Sequence, residues 1–376
     1  MFGFDSAAGW IFWVAAAVAA YVYLGYPIVA GLRATLRAQP RRIAPIEPTV
    51  SIVVVAYNEA ARISETLGEL PAYIRHIIVV DDCSRDATSD VVRSLAEADP
   101  RIELIRHEKN QGVGGAMITG LTRARELQAQ LVVKMDGDGQ MSADDLPALL
   151  RPLISGQADF AKGNRFHDFL ALASMPPLRR AGNMGLSFLT KAAVGYWNIA
   201  DPCNGYVAIR GDVLPVLPLQ SLQRSFFFET SLLAQLFLLG AVIRDVPMPA
   251  RYGHEQSKLR ISRVLLEFPP KLLGCWLRRL VLKNFIYDFS MESLYLLAAM
   301  PLLLGGGLYG GVNWLRYAWL GVGAPTGTVV LPAMMIILGF QLLLSAIGED
   351  VRNVPSRPLC SGPLPADDDD DTPRRS

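Results

Sequence analysis

Two aspartates separated by one glycine, in the segment DGDGQ at residues 136–140, are the side chains of this sequence best suited to hold a metal ion. Asp136 and Asp138 can both reach a single hard cation, and the side-chain amide of Gln140 offers a further oxygen. Mg²⁺ and Mn²⁺ take such oxygen ligands and commonly share them with substrate phosphates. Gly137 lacks the Cβ atom that would keep a diphosphate away from the backbone. An isolated pair of this kind is more often a polar turn, so its interpretation depends on the neighbouring segments.

Other polar clusters also follow apolar runs that are typical of buried strands. They are AYNE at 56–59, DDCSRD at 81–86 and NQGVGGA at 110–116. In an α/β sheet, ligands collect at the carboxyl ends of the strands, where such clusters would meet. Each cluster alone also fits a turn that opens a helix. Together with DGDGQ they offer acidic and amide groups for a base and a ribose, and a metal for a diphosphate, which predicts a nucleotide-diphosphate site.

The elements that must position these clusters alternate between strand and helix from about residue 50 to residue 260. Helices are predicted near residues 60–70, 86–98 and 112–128, between the strand segments. Such alternation implies an α/β fold with a mainly parallel sheet that is covered on both faces. The strand segments are SIVVVAYNE, HIIVVDDCS, IELIRH and LVVKMDGDG.

The composition argues against several classes of function. The 376 residues carry a net charge of +1, so no bulk basic character supports nucleic-acid binding. The 4 cysteines lack CxxC or metal-ligand spacing and the 4 histidines form no paired motif, which leaves a zinc site without support. Scattered cysteines favour reduced thiols in a cytoplasmic compartment over a disulfide framework.

The N-terminal region is predicted to anchor the chain in a membrane. Residues 9–32 carry no charge and are long enough to cross a bilayer, and several arginines follow directly. Arginines after the apolar run place that end in the cytoplasm, whereas a cleaved signal peptide carries its basic residues before the run. We therefore expect a transmembrane anchor at 1–36 and a proline-rich linker at 37–49, followed by the α/β domain at 50–260.

The sequence after residue 260 predicts further contact with the membrane. Basic and apolar residues at helical spacing in 261–290 predict two short amphipathic helices in the membrane interface, separated by Pro269-Pro270. Apolar runs at 293–312 and 328–347 then predict two transmembrane helices within 291–350.

The remaining segment, 351–376, is rich in proline and aspartate and is expected to be a disordered acidic tail. With this order of segments, the chain is predicted to be a multi-pass protein of the inner, cytoplasmic membrane. The α/β domain would face the cytoplasm, because the basic residues flank the apolar runs on that side.

The motifs resemble those of family-2 inverting glycosyltransferases of the GT-A fold, and most of all those of dolichol- and other polyprenyl-phosphate sugar synthases such as mannose synthases. The likeness runs in family order from residue 53 to residue 258 and implies a Rossmann-like GT-A catalytic domain. The matching segments are VVVAYNEA (53–60), VVDDCSRDAT (79–88), NQGVGGA (110–116), DGDGQ (136–140), KGNRF (162–166), LRRAGN (178–183), DPCNGY (201–206) and DVPMPARYGHEQSK (245–258).

The resemblance implies a role for each residue at a matching position. Mg²⁺ or Mn²⁺ would be bound by Asp136, Asp138 and Gln140. The residues implied to bind the nucleotide are Ala56, Tyr57, Glu59, Val80, Asp82, Gly112 and Gly137. The residues implied in catalysis are the two metal-binding aspartates, Arg165 and Arg180 at the sugar and phosphates, and Arg251 and Lys258 near the acceptor phosphate.

The implied activity is transfer of one sugar from GDP-mannose or a UDP-hexose to a dolichyl or undecaprenyl phosphate. A phosphate acceptor is already anionic and needs no general base, whereas a hydroxyl acceptor needs one. Glu229 is the candidate for such a base and could equally position an acceptor loop. Two alternatives therefore stay open, namely a transferase that acts on a lipid or glycan hydroxyl and a catalytically silent membrane scaffold that binds nucleotide sugars. A processive polysaccharide synthase is disfavoured, because the sequence lacks a QxxRW motif.

Overall fold

The computed structural model describes residues 13, 48–167, 177–249, 261–360 and 364, and a seven-stranded sheet lies at its centre. The strands are β1 (Val50–Ala56), β2 (Ile74–Asp81), β3 (Ile102–Arg106), β4 (Leu131–Asp136), β5 (Phe160–Asn164), β6 (Val207–Arg210) and β7 (Ile243–Pro247). They lie in the order β3-β2-β1-β4-β6-β5-β7, and only β6 is antiparallel to its neighbours within this sheet. The predicted α/β fold with a mainly parallel sheet is confirmed.

The register of the parallel strands brings the predicted polar clusters to one edge of the sheet. Val55 of β1 pairs with Val80 of β2 on one side and with Asp136 of β4 on the other. Ala56 pairs with Asp81 at the next position. The strands therefore end at the same level, and the segments that follow them start side by side.

Helices cover both faces of the sheet, as the alternating pattern predicted. On one face, α3 and α6 pack on the sheet through buried residues such as Leu121 and Leu236, and on the other face α1 and α4 do so through Ile63 and Leu149. The helices up to residue 239 are α1 (Ile63–Gly68), α2 (Thr88–Ala98), α3 (Val113–Glu126), α4 (Leu146–Ile154), α5 (Pro177–Val194) and α6 (Phe228–Leu239).

The segment after residue 260 forms one helix where two were expected. Helix α7 (Ile261–Val281) runs through Pro269 and Pro270 and continues as a π-helical turn over Leu282–Tyr287. A proline inside a helix costs about 3 kcal/mol, so tertiary packing has to hold this helix together. Phe268 beside the prolines packs edge-on against Phe227 at 5.3 Å between ring centroids, which fixes the helix to the α/β domain at this point.

Two long apolar helices follow, and each of them contains one of the predicted membrane segments. Helix α8 (Met291–Leu320) and helix α9 (Thr326–Arg352) are long and apolar enough to cross a membrane. They contain the predicted runs 293–312 and 328–347, and α8 extends eight residues past the first of them. The predicted anchor at 1–36, apart from Trp13, lies outside the described residues, as does the predicted linker at 37–49 except for its last two residues.

A buried ionic network joins the ends of these two helices to the α/β domain. Asp350 near the end of α9 accepts hydrogen bonds from both terminal nitrogens of Arg279 on α7, from Lys283 at 3.1 Å and from the Trp197 indole at 3.0 Å. Lys283 also pairs with Glu292 at the start of α8, at 3.0 Å. The first turn of α8 and the last turn of α9 therefore meet at the same place on the α/β domain.

The start of the predicted disordered tail is instead ordered against the sheet. Residues 353–360, which we call the C-terminal strap, run back from α9 to Asp159, a fully buried residue directly before β5. The Asp159 carboxylate accepts hydrogen bonds from the backbone of Leu359 at 2.9 Å, Cys360 at 3.1 Å and Val242 at 2.8 Å. The expectation of disorder across 351–376 is therefore wrong for residues 351–360, of which the first two end α9 and the last two are bound by the Asp159 carboxylate. Most of the rest lies outside the described residues.

Candidate active site

The DGDGQ segment continues directly from β4 and lies at the shared edge of the parallel strands. Asp136 is the last residue of the strand, and Asp138 and Gln140 lie in the turn that follows. Both aspartates are partly exposed and Gln140 is exposed, so a ligand could reach all of them. The Arg62 guanidinium donates to the Asp138 carbonyl at 3.1 Å and holds the turn against the start of α1. Arg62 lies outside every motif recognised in the sequence.

A buried lysine, which the sequence analysis missed, lies beside the first aspartate of the pair. Lys134 is 2% exposed, and its Nζ atom lies 2.9 Å from Asp136 Oδ1 and 3.3 Å from Glu229 Oε1 on α6. Burial by itself would lower the pKa of Lys134, but the two carboxylates outweigh it and raise the pKa above its ordinary value. The ammonium is therefore fully charged at neutral pH and neutralises one of two carboxylates. Glu229 is thus ion-paired within the candidate site.

The donor set suits a divalent ion that is shared with a substrate. Two carboxylates and a side-chain amide supply oxygen only, which fits Mg²⁺ or Mn²⁺ and disfavours zinc. Within the described parts of the chain, no three His, Cys, Asp or Glu side chains cluster closely enough to hold a metal by themselves. A metal at Asp136, Asp138 and Gln140 would accordingly take its other ligands from diphosphate oxygens and water, which is usual for magnesium.

The predicted nucleoside residues form a tightly bonded group at the ends of β1 and β2. Asp82 is 2% exposed and its N–H donates to the Ala56 carbonyl at 3.0 Å, while Val80 beside it is fully buried. Tyr57 and Glu59 are partly exposed and follow β1. Ala56, Tyr57, Glu59 and Asp82 thus lie together at the predicted edge, and Val80 supports them from the core.

The Asp82 carboxylate connects β2 to the glycine-rich segment. It accepts hydrogen bonds from the backbone of Gln111 and of Gly112, both at 2.8 Å, and from His107 Nδ1 at 2.8 Å. The same carboxylate therefore orders residues 107–112 next to the candidate nucleotide site.

Two glycines that were predicted to approach the nucleotide also have protein neighbours that explain them. A Cβ atom on Gly112, where φ is +81°, would lie 2.6 Å from the carbonyl oxygen of Arg224. The N–H groups of Gly114 and Gly115 donate to that same oxygen at 3.0 and 3.2 Å. Gly137 is buried, and a Cβ atom there would lie 3.0 Å from Ile63. The start of α3 is thus capped by residue 224, and contact of either glycine with a nucleotide stays a prediction.

Among the predicted basic residues, Arg165 is held in place by a buried partner. Arg165 follows β5 and forms two hydrogen bonds with the buried Asp201, at 2.8 and 3.3 Å, which orients its guanidinium. Arg180 is exposed on α5. Arg251 and Lys258 lie outside the described residues, so their predicted place near the acceptor is not tested.

Buried charged side chains on β5 and β7 also contact the DPCNGY segment, residues 201–206, and the residue before it. Lys162 on β5 is 1% exposed and donates to the Asn204 carbonyl, and burial lowers its pKa. Asp245, its partner residue on β7, accepts the Ala200 N–H at 2.6 Å. Burial raises the pKa of Asp245 to about 6. The segment and the preceding Ala200 are therefore held by Lys162 and Asp245, two residues of the matching motifs to which the resemblance assigned no role.

Comparison with known proteins identifies similar chains. Residues 51–217 match the family described as Glycosyl transferase family 2. The chain is 32% identical over 234 residues to a UDP-N-acetylglucosamine–dolichyl-phosphate N-acetylglucosaminyltransferase of Methanococcus voltae, which covers 58% of this chain and 92% of that protein. The span 51–217 that matches the family includes DGDGQ, Arg165 and DPCNGY.

Two further relatives name other sugars. The chain is 29% identical over 202 residues to an undecaprenyl-phosphate mannosyltransferase of Micrococcus luteus, with 53% of this chain and 82% of that protein covered. It is 30% identical over 243 residues to a dolichyl-phosphate beta-glucosyltransferase of Trichomonas vaginalis, with 60% and 70% covered. The three relatives share a lipid phosphate in their names and differ in the sugar.

Proposed function

Because the chain belongs to glycosyl transferase family 2, and is a glycosyltransferase, we propose that it moves one sugar from a nucleotide-sugar donor to a polyprenyl phosphate. The donor would be GDP-mannose or a UDP-hexose, and the acceptor a dolichyl or undecaprenyl phosphate. An oxygen of the lipid phosphate attacks the anomeric carbon while the bond from that carbon to the nucleoside diphosphate breaks. The configuration at the anomeric carbon is therefore inverted.

The strand register supports the donor half of this proposal. Ala56, Asp82 and Asp136 all lie at the carboxyl ends of adjacent parallel strands, where α/β proteins bind nucleotides. The first two would face the nucleoside, and Asp136 would meet the diphosphate. Neighbouring strands of a sheet lie about 4.8 Å apart, and this spacing sets the distance from β1, in the middle, to β2 and to β4.

The single observation that carries the acceptor half is the ion pair between Glu229 and the buried Lys134. A general base has to turn a carboxylate oxygen towards the substrate hydroxyl, whereas the Glu229 carboxylate is engaged with the buried Lys134 ammonium at 3.3 Å. A phosphate acceptor, which arrives ionised, has no proton to give up before it attacks. The pairing of Glu229 therefore favours a lipid phosphate over a lipid or glycan hydroxyl.

The relatives support the acceptor class and leave the sugar open. Polyprenyl or dolichyl phosphate appears in the names of the relatives from Methanococcus voltae, Micrococcus luteus and Trichomonas vaginalis. Their sugars are N-acetylglucosamine, mannose and glucose. Similar levels of identity to all three give no ground for choosing one sugar.

A divalent ion and arginine side chains would stabilise the leaving group. Asp136, Asp138 and Gln140 would hold Mg²⁺ or Mn²⁺, which when bound neutralises charge on the leaving diphosphate. Arg165, oriented by Asp201, presents a cation that needs no reorganisation during transfer. Arg180, and the predicted acceptor residues Arg251 and Lys258, would add charge at the sugar and at the two phosphates.

Helices α8 and α9, which we call the helical hairpin, would place the α/β domain at a membrane surface. Both helices are candidate membrane spans. The start of α8 and the end of α9 are joined through Lys283, and Asp350 accepts a hydrogen bond from Trp197 of the α/β domain. A hairpin of this kind keeps residues on both sides of it on the same side of the bilayer. We propose that this side is the cytoplasm and that α7 lies in the interface, where a lipid phosphate is found.

The direct test incubates the full-length protein in detergent with radiolabelled nucleotide sugars and Mg²⁺ or Mn²⁺. Each donor is offered with undecaprenyl phosphate, dolichyl phosphate, or the matching polyprenol without phosphate as a control, and the product is extracted into organic solvent. We expect labelled lipid with at least one phosphate acceptor and none with the free alcohol. Label in the free alcohol would favour the hydroxyl alternative, and no transfer with any donor would favour a silent scaffold.

Two substitutions sharpen this test. Asp138→Ala removes a metal ligand and is expected to abolish transfer, while Glu229→Gln keeps the shape of the side chain and is expected to retain at least a tenth of the activity. General-base removal typically costs a factor of about 10²–10⁴. A loss of that size in Glu229→Gln, with the fold intact and Mn²⁺ binding unchanged, would contradict a phosphate acceptor.

A further inference from the structure

We propose that Lys134 is a positioning residue, which fixes the metal-binding end of β4 against helix α6 and against residues 201–206. This inference rests on the proposed function, since it concerns the site that would hold the donor's metal. It names a residue that lies outside the set implied by the family resemblance.

The position of Lys134 on its strand lets its side chain reach the metal site. Side chains two residues apart on a strand lie on the same face, so Lys134 and Asp136 are neighbours on β4. The Lys134 ammonium contacts Asp136 at 2.9 Å and, across the face of the sheet, Glu229 at 3.3 Å. One buried cation thereby joins the end of a strand to the first turn of α6.

The charges explain why the site needs this cation. Asp136 and Glu229 approach a common point from two elements, and without the ammonium they would repel each other in a poorly solvated place. With it, the cluster carries a net charge of −1 and each carboxylate has a preferred orientation. An aspartate side chain has several rotamers of similar energy, and the ion pair with Lys134 selects one of them.

Gly205 shows that the DPCNGY segment also closes on this lysine. A Cβ atom on Gly205 would lie 2.6 Å from Lys134 Nζ and 3.3 Å from Asp136 Oδ2. The same segment carries Asp201, which orients Arg165 at 2.8 Å. Lys134 thus lies between the candidate metal-binding aspartate and the segment that positions the arginine, and a Cβ atom at residue 205 would force the ammonium to shift.

The test measures how tightly the full-length protein in detergent binds Mn²⁺ when neither donor nor acceptor is present. The concentration of free Mn²⁺ is read from its electron paramagnetic resonance signal. Lys134→Met is expected to weaken Mn²⁺ binding by about 10–100-fold, which is typical for loss of a group that orients a metal ligand. Simple electrostatics predicts the opposite, because removing a positive charge beside Asp136 would tighten cation binding. Mn²⁺ binding that is unchanged or tighter in the folded variant would overturn the proposal. The same holds if the variant differs from the wild type only in a lower melting temperature.

Two other variants separate positioning from folding. Gly205→Ala keeps every charge, displaces the ammonium, and is expected to weaken Mn²⁺ binding by several-fold even if Lys134→Met fails to fold; normal binding in this variant would refute the proposal. Lys283→Met is the matched control, since it removes another ion-paired lysine, at the hairpin, and should leave Mn²⁺ binding unchanged. Weaker binding in Lys283→Met would show that any lost ion pair has this effect and would also refute it.

The same experiments keep the two proposals apart. Lipid labelling that persists in a wild-type protein without Mn²⁺ binding would overturn the role of Lys134 and leave the transfer reaction standing. Weakened Mn²⁺ binding in the variants, with no labelled lipid from any donor, would uphold the role of Lys134 and overturn the proposed acceptor.

Discussion

Removal of the Asp350 side chain should test how firmly the helical hairpin is attached to the catalytic domain. In Asp350→Ala, Arg279 loses both of its carboxylate bonds and keeps only the Ala192 carbonyl at 2.9 Å among the bonds described for its terminal nitrogens. Lys283 keeps Glu292 at 3.0 Å, so one of the two cations stays paired. Because a single buried charge is left uncompensated, we expect the low end of the usual range for a broken buried ion pair, about 3 kcal/mol.

The chain offers a matched control one residue away. Glu349 has the same charge, lies on the same turn of α9, and makes a long 3.8 Å contact with the exposed Arg352. Glu349→Ala should therefore change the free energy of unfolding by less than about 0.5 kcal/mol. Both variants and the wild type would be unfolded by denaturant in the same detergent, with tryptophan fluorescence as the probe, because Trp197 donates to Asp350. Equal losses of stability in the two variants would refute the assignment of Asp350 as the attachment point.

Two further predictions concern the α/β domain. Asp245 has a pKa raised to about 6, so the folded state favours its protonated form, and the wild type loses stability as the pH rises from about 4 through 6. Asp245→Asn should thus raise the free energy of unfolding by up to ~3 kcal/mol at pH 7.5 and by almost nothing at pH 4 in denaturant titrations; a gain that is independent of pH would contradict this. Gly112→Ala should cost about 1–3 kcal/mol more than Gly240→Ala in the same titration, because both glycines have positive φ but only the first would meet the Arg224 carbonyl. Equal costs would show that this carbonyl can move away.

Local patterns were sufficient to predict the centre of the fold. Runs of valine and isoleucine followed by polar residues predicted β1, β2 and β4, and the parallel arrangement brought Ala56, Asp82 and Asp136 to one edge. These predictions succeeded because each depends on a short segment and on a general property of parallel sheets. The candidate metal-binding pair could be proposed for the same reason, since Asp136 ends β4 and Asp138 follows in the adjoining turn.

Contacts between distant segments could not be predicted in this way. The sequence offered no reason to select Lys134, because Glu229 and Gly205, which lie next to its ammonium in the structure, are far from it along the chain. The resemblance implies that Gly112 binds the nucleotide, but a Cβ atom placed on Gly112 would also lie 2.6 Å from the Arg224 carbonyl oxygen, a contact with a distant segment. Pro269-Pro270 predicted a break in α7 that packing against the α/β domain prevents.

The C-terminal strap has a consequence for how the protein is made. Asp159 lies directly before β5, but two of its three backbone donors, Leu359 and Cys360, are synthesised about 200 residues later. A nascent chain that has emerged as far as α6 and β7 would hold this buried carboxylate with Val242 alone among those donors. The sheet therefore reaches its final stability only after residues 359 and 360 have left the ribosome, so a chain that ends before the strap would be the less stable form.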